Sequence, residues 1–216
     1  MKNFKQIFET YFMVLVHPYK IHEQFRHNVA IPGHGGHIYK PLSLAESISV
    51  SWIFAIIRGL GKIVLINFFL HTFLNAQSEE FPFLKELMKD QSISMYYFVL
   101  FSAALDIIFF PVTTIIMTEV WAWMIKKYAK VLNPRLPAED IADEITTHAL
   151  SSNLLSVVPI IGDGIQSLMY YFLLFTGLRA NLGASRSLAF VILITPTILF
   201  MMMISLIFFL FFYLMA

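Results

Sequence analysis

Between Ser151 and Phe190 the chain is mostly apolar, and one stretch interrupts it: Val157-Val158-Pro159-Ile160-Ile161-Gly162-Asp163-Gly164. Every later span depends on whether the chain turns there or runs through. Read straight, Ser152 to Leu178 crosses a bilayer once, with tilt. Read with a turn, it becomes two short helices. Pro159 has no N–H to donate, and two glycines flank a charged Asp163. A carboxylate is costly at the lipid-facing centre of a lone helix and cheap at a turn near the membrane surface. Local chemistry therefore predicts a turn at 160–164, with Pro159, Gly162, Asp163 and Gly164 as the residues that set topology.

A membrane setting follows from composition. Hydrophobic residues make up 58% of the chain, charged residues 13%, and mean hydropathy is +0.71. A soluble domain of this length needs a more polar surface. A net charge of +1 makes no case for a nucleic-acid partner. With no cysteine there is no disulfide, iron–sulfur cluster or thiol chemistry. The first sixteen residues lack the unbroken apolar core and small-residue cleavage site of a signal peptide.

Taken in order, Phe4, Ile7, Phe8, Tyr11, Phe12 and Leu15 recur at helical spacing. They predict a short amphipathic helix, lying in the membrane interface or packed on a bundle. Residues 17–41 are polar and hold His17, His22, His27, His34 and His37. Imidazoles ligate zinc or copper. No compact ligand motif accompanies these, so the segment reads as a solvated loop, and no metal or cofactor is expected. Pro41-Leu42-Ser43 opens the first long helix, on which Ser47, Ser51, Ala55 and Gly59 form a small-residue stripe for close helix approach. Residues 76–92 read as a polar loop. The second helix is too long for one upright span, and Pro111 predicts a kink in it. Trp121, Trp123, Lys126, Lys127 and Tyr128 read as an interfacial anchor. Pro137-Ala138-Glu139-Asp140 is a helix start, with acids at the positive end of the dipole. A third span ends at the break, a fourth follows it, and a fifth is interrupted only by Thr195-Pro196.

Charge supports five spans. With five, the segments on the cytoplasmic side hold eleven Lys and Arg and the outer ones two; with four, the division is nine to four. The positive-inside rule prefers the first. The expected fold is all-α: a polytopic membrane helical bundle of five transmembrane helices plus an amino-terminal interfacial amphipathic helix. Residues 1–41 form a cytoplasmic segment. Residues 42–216 form one transmembrane domain, with spans at about 46–75, 93–128, 146–160, 164–179 and 187–214. The amino terminus is expected in the cytoplasm and the carboxyl terminus outside.

From His148 onward a further pattern is legible. His148-Ala149-Leu150-Ser151-Ser152 leads to Val158-Pro159-Ile160-Ile161-Gly162, then Tyr170-Tyr171, Gly177-Leu178 and Ser187-Leu188-Ala189. Upstream, His17-Pro18 and Lys40-Pro41-Leu42 precede the first span. The sequence resembles the Yip1 domain family of small five-span membrane proteins, in its prokaryotic form. Eukaryotic members are associated with Rab GTPases and membrane traffic. Their cytosolic Asp-Leu-Tyr-Gly-Pro-type motif is absent here, so the resemblance does not extend to a Rab-type partner.

There is no nucleophile elbow, P-loop, His-Glu-x-x-His or Gly-x-Gly-x-x-Gly, and no catalytic residue is assigned. The sharpest chemical feature is a set of charges within apolar runs: Arg58, Lys62, Asp106 and Glu119. Two cations and two anions can neutralise one another and fix helix register, or they can line a polar pathway. Depth along antiparallel helices pairs Lys62 with Asp106 and places Glu119 on another face. The expected function is a non-enzymatic membrane scaffold or adaptor. Its partners are the bilayer and other membrane proteins or copies of itself. The alternative is a transporter or channel component using the intramembrane charges.

Overall fold

The computed structural model describes residues 4–30, 42–76, 82–134 and 137–215. Seven α-helices and one 3₁₀ segment account for nearly all of them, and no strand occurs among the described residues. The helices are α1 Phe4–Val16, α2 Pro18–Ala30, α3 Leu44–Ala76, α4 Pro82–Leu132, α5 Ala138–Ala149, α6 Gly162–Leu182 and α7 Arg186–Met215; the 3₁₀ segment, Leu150–Val157, joins α5 to the turn before α6.

Several boundaries follow from local chemistry. Ser43 Oγ accepts from the Glu46 amide at 3.2 Å, and Glu46 Oε2 accepts from the Ser43 amide at 2.9 Å. This capping box starts α3 at the expected place. Pro137 caps α5, with Glu139 and Asp140 in its first turn. Gly183, in the left-handed conformation at φ 65°, closes α6, and Ser185 Oγ caps α7 through the Leu188 amide. The 3₁₀ segment has a sequence cause. Ser151, Ser152 and Ser156 each donate a hydroxyl to the carbonyl three residues back, at 2.7–2.9 Å. All three side chains are buried, and such back-bonding competes with α-helical spacing.

The chain does turn at the apolar break. Residues 158–161 form the turn, and Ile160 takes φ 68°, unusual for a β-branched residue. Gly162 is required there. A Cβ would lie 2.8 Å from the Leu155 carbonyl oxygen and 2.9 Å from that of Ser156. Gly164 lies inside α6 with open space around it, so the turn does not depend on it.

Two expectations are corrected. The region 17–41 is not all loop: α2 occupies Pro18–Ala30, and Ile21 and His22 are buried. His34 and His37 lie outside the described residues. The expected loop at 76–92 is helical from Pro82, because α4 extends further toward the amino terminus than its apolar pattern suggested. Among the described residues, three helical stretches are long and apolar enough to cross a membrane: Leu44–Phe69, Tyr96–Leu132 and Arg186–Tyr213. The segments expected as third and fourth spans form a helical hairpin, part of it buried against the rest of the protein. Ser151, Ser152, Asn153 and Ser156 are buried on the 3₁₀ arm, and Leu173, Leu174, Leu178 and Asn181 on α6.

The main core lies between α1, α2, the carboxyl-terminal part of α4, α5, α6 and the start of α7, and includes Val14, Ile125, Ile145, Leu173, Leu178 and Ile192. A smaller cluster of Tyr11, Leu42, Val50 and Phe54 fastens α1 to α3. The Tyr11 hydroxyl bonds Ser51 Oγ at 2.7 Å and the Leu150 carbonyl. Of the small-residue stripe, Gly59 meets α4: its Cβ would lie 2.6 Å from Ile107 Cδ1. Ser51, expected at the same contact, faces Tyr11 and Asn153 instead. Pro111 lies inside α4 and cannot donate to the carbonyl of Ile107. The Trp52 indole on α3 donates to that oxygen at 2.8 Å.

Candidate functional site

Two polar clusters stand out. The first joins α3, α4 and the start of α6. Arg58 Nη1 donates to Asp163 Oδ1 at 3.1 Å, and Nη2 lies 4.0 Å from Asp106 Oδ2. Lys62 Nζ lies 3.5 Å from Asp106 Oδ2 and 3.5 Å from Asp163 Oδ2. The expected Lys62–Asp106 pair is present. Glu119 is not part of the group: it is exposed and lines a separate cavity with Lys126, Asp140, Asp143 and Glu144. Its place is taken by Asp163, which sits in the first turn of α6, where the helix dipole also favours a carboxylate. The tetrad has two cations and two anions, so its formal charge is zero. It ties the hairpin tip to the two long helices.

The second cluster was not expected. Glu144 and His148 lie four residues apart on one face of α5, His22 reaches them from α2, and Asn181 from α6. His22 Nδ1 lies 3.2 Å from Glu144 Oε1, and His148 Nδ1 lies 3.3 Å from the same oxygen. The Asn181 amide nitrogen donates to Glu144 Oε2 at 2.9 Å and lies 3.2 Å from His22 Nδ1. The imidazole centroids of His22 and His148 are 5.1 Å apart. All four side chains are buried. Gly177 makes this approach possible. A Cβ there would lie 2.9 Å from Ile145 side-chain carbons and 3.2 Å from His22 Cε1.

Burial governs the protonation of this cluster. It pushes His22 down to about 4, since the imidazolium would be desolvated. It pushes the Glu144 carboxyl well above the ordinary carboxylate range, and the Asn181 hydrogen bond offsets part of that. His22, Glu144 and His148 are the described residues whose donor atoms gather closely enough to hold a metal ion.

Sequence reasoning missed this cluster for a clear reason. Glu144 reads as the last acid of a solvated run, Glu139 to Glu144, and His22 as one histidine of a polar segment. One signal was available. Glu144 and His148 flank Ile145 and Ile141 on the buried side of α5, the wrong side for solvated groups.

Two cavities adjoin the clusters. One of about 450 Å³ is lined by Thr118, Glu119, Lys126, Asp143, Glu144 and Thr147. Another, about 170 Å³, is lined by Arg58, Lys62, Pro159 and Asp163. No family model matches the chain, and neither a curated protein nor a solved structure does.

Proposed function

We propose that this chain is a non-enzymatic membrane scaffold or adaptor of the Yip1 type. It acts through lipid contacts and contacts with other membrane proteins or copies of itself. The observation that carries this reading is the closure of the tetrad: Arg58 and Lys62 are matched by Asp106 and Asp163 within the fold. Charges neutralised in this way need no ion or solute to explain them. Large apolar side chains remain uncovered along α3, α4 and α7, among them Phe68, Phe98, Phe109 and Phe208. These are surfaces for lipid or for partner helices.

In this reading the chain crosses the membrane five times, in a cytoplasmic (inner) membrane if the cell is prokaryotic, with α1 at the cytoplasmic interface and the carboxyl terminus outside. The eleven-to-two division of basic residues supports it. So does reach: α6 has 21 residues, about 31 Å at 1.5 Å each. An observation favours a second topology. Val64, Phe68 and Phe69 on α3, and Tyr97, Phe98 and Phe101 on α4, are exposed beyond the tetrad. A hairpin that turns within the bilayer would leave them facing lipid. A single cysteine replacing Asp163 separates the two. Five spans predict labelling by an impermeant thiol reagent from outside intact cells. Protection from both faces would support the buried turn.

The transport alternative rests on the cavity beside Arg58, Lys62 and Asp163. Purified protein in liposomes should show no ion or solute flux above protein-free vesicles. Robust flux that an Asp106→Asn variant loses would replace the scaffold reading with transport.

A further inference from the structure

We propose that His22, Glu144 and His148 form a binding site for a divalent transition-metal ion of the zinc class, held by the two imidazole Nδ1 atoms and Glu144 Oε1, with Asn181 orienting the carboxylate. This site is independent of the scaffold reading and lies apart from the charge tetrad.

Geometry is the first argument. The donor atoms of the three residues all lie within 4.8 Å of one another. The two imidazole nitrogens stand 3.2 and 3.3 Å from the same carboxylate oxygen. Two ligands at 2.0–2.1 Å from a tetrahedral ion are about 3.3 Å apart, so these separations suit a shared metal. They are long for a charge-assisted hydrogen bond, which draws its atoms to about 2.7–2.9 Å.

Ligand type is the second. Two histidines and one glutamate with a remaining open position are a known zinc set, and imidazole suits zinc, copper, nickel and iron. A carboxylate this deeply buried requires a proton, an opposing charge or a metal. Its neighbours at hydrogen-bonding distance are two imidazoles and an amide, none carrying a fixed positive charge.

Unfulfilled polar atoms are the third. His22 Nε2 and Asn181 Oδ1 are buried with no hydrogen-bond partner. Nε2 lies on the ring edge away from Nδ1, so with Nδ1 on a metal it is left to donate to a water, the outer-shell partner a ligating imidazole takes. The outer shell is otherwise prepared. Asn181 holds Glu144 Oε2 and leaves Oε1 facing the histidines. Glu144 and Thr147 also border the 450 Å³ cavity, which gives an ion a route in.

The test uses the full chain, purified in detergent through a tag free of histidine and stripped with a chelator. Zn²⁺ is titrated against a chromogenic competitor, and Co²⁺ replaces it for absorption spectroscopy. One zinc per chain is expected, and the cobalt form should show the intense visible bands of a four-coordinate site. His22→Ala and His148→Ala should each weaken zinc binding by at least about 100-fold, the upper range for losing even an outer-shell partner. A His34→Ala/His37→Ala double variant should bind as the unmutated chain does. The cobalt spectrum is read on the unmutated chain, so it stands even if a variant fails to fold. No zinc or cobalt binding by the unmutated chain overturns the proposal. So does binding that survives His22→Ala and His148→Ala, or binding that disappears with His34 and His37.

Discussion

The tetrad and the histidine cluster solve the same problem in opposite ways. The tetrad keeps four formal charges near a surface: its side chains range from 19% exposed for Arg58 to 53% for Asp163. The histidine cluster is buried, with His22 and His148 at 0% and Glu144 and Asn181 at 2%. In the tetrad, cations and anions are equal in number and neutralise one another. In the buried cluster there is one acid and no permanent cation, so its carboxyl must hold a proton or meet an ion. Exposure therefore separates a group of charges that can lose a member from one that cannot.

That contrast orders the effects of substitution. Glu144→Leu should have the largest effect. It strands two imidazoles and the Asn181 amide in a dry core, at a cost of about 3 kcal/mol or more. The folded, monodisperse fraction extracted in detergent should fall sharply, and the thermal midpoint with it. Asp106→Leu should cost less, roughly 1–2 kcal/mol, because Asp163 remains to pair with Arg58 and Lys62 and the site is partly open. Adding Lys62→Leu should return some of the loss, since the remaining Arg58–Asp163 pair is again balanced. If Asp106→Leu cost as much as Glu144→Leu, the tetrad would have to be as dry as the histidine cluster, and the comparison would fail. The smallest effect should come from Glu119→Gln. That side chain is exposed and belongs to neither cluster, so its thermal midpoint should move by no more than about 0.5 kcal/mol warrants.

The same contrast explains what could be read in advance. Arg58, Lys62 and Asp106 were legible because a formal charge inside an apolar run stands out on its own. The helix starts at Pro41-Leu42-Ser43 and Pro137 were legible because helix-start signals are local. Asp163 was expected in the turn but lies in the first turn of α6, and its pairing with Arg58 was not read. That pairing depends on how far the hairpin rises along α3, which no local pattern records. The five-span count rested on apolar length and charge bias. Burial of the serine-rich 3₁₀ arm, with its hydroxyls bonded back to its own carbonyls, shows how such a stretch can lie against protein. The histidine cluster was hidden by sequence distance. His22 is 122 residues from Glu144 and 159 from Asn181, so only the docking of α2 on α5 and α6 brings them together.

The Trp52 indole adds a mechanical consequence. By donating to the Ile107 carbonyl that Pro111 leaves unmatched, it makes a rung of one helix out of a side chain of another. A hinge at Pro111 would ordinarily flex freely, because the missing rung lets its two halves swing. Here that freedom is tethered to α3. Any sliding of α3 along its axis must either carry the indole away from the oxygen or take that part of α4 with it. Losing the indole leaves the Ile107 carbonyl without its donor, so following is the cheaper course. The indole thus fastens α3 to α4 at the one place where Pro111 leaves α4 a hydrogen bond short.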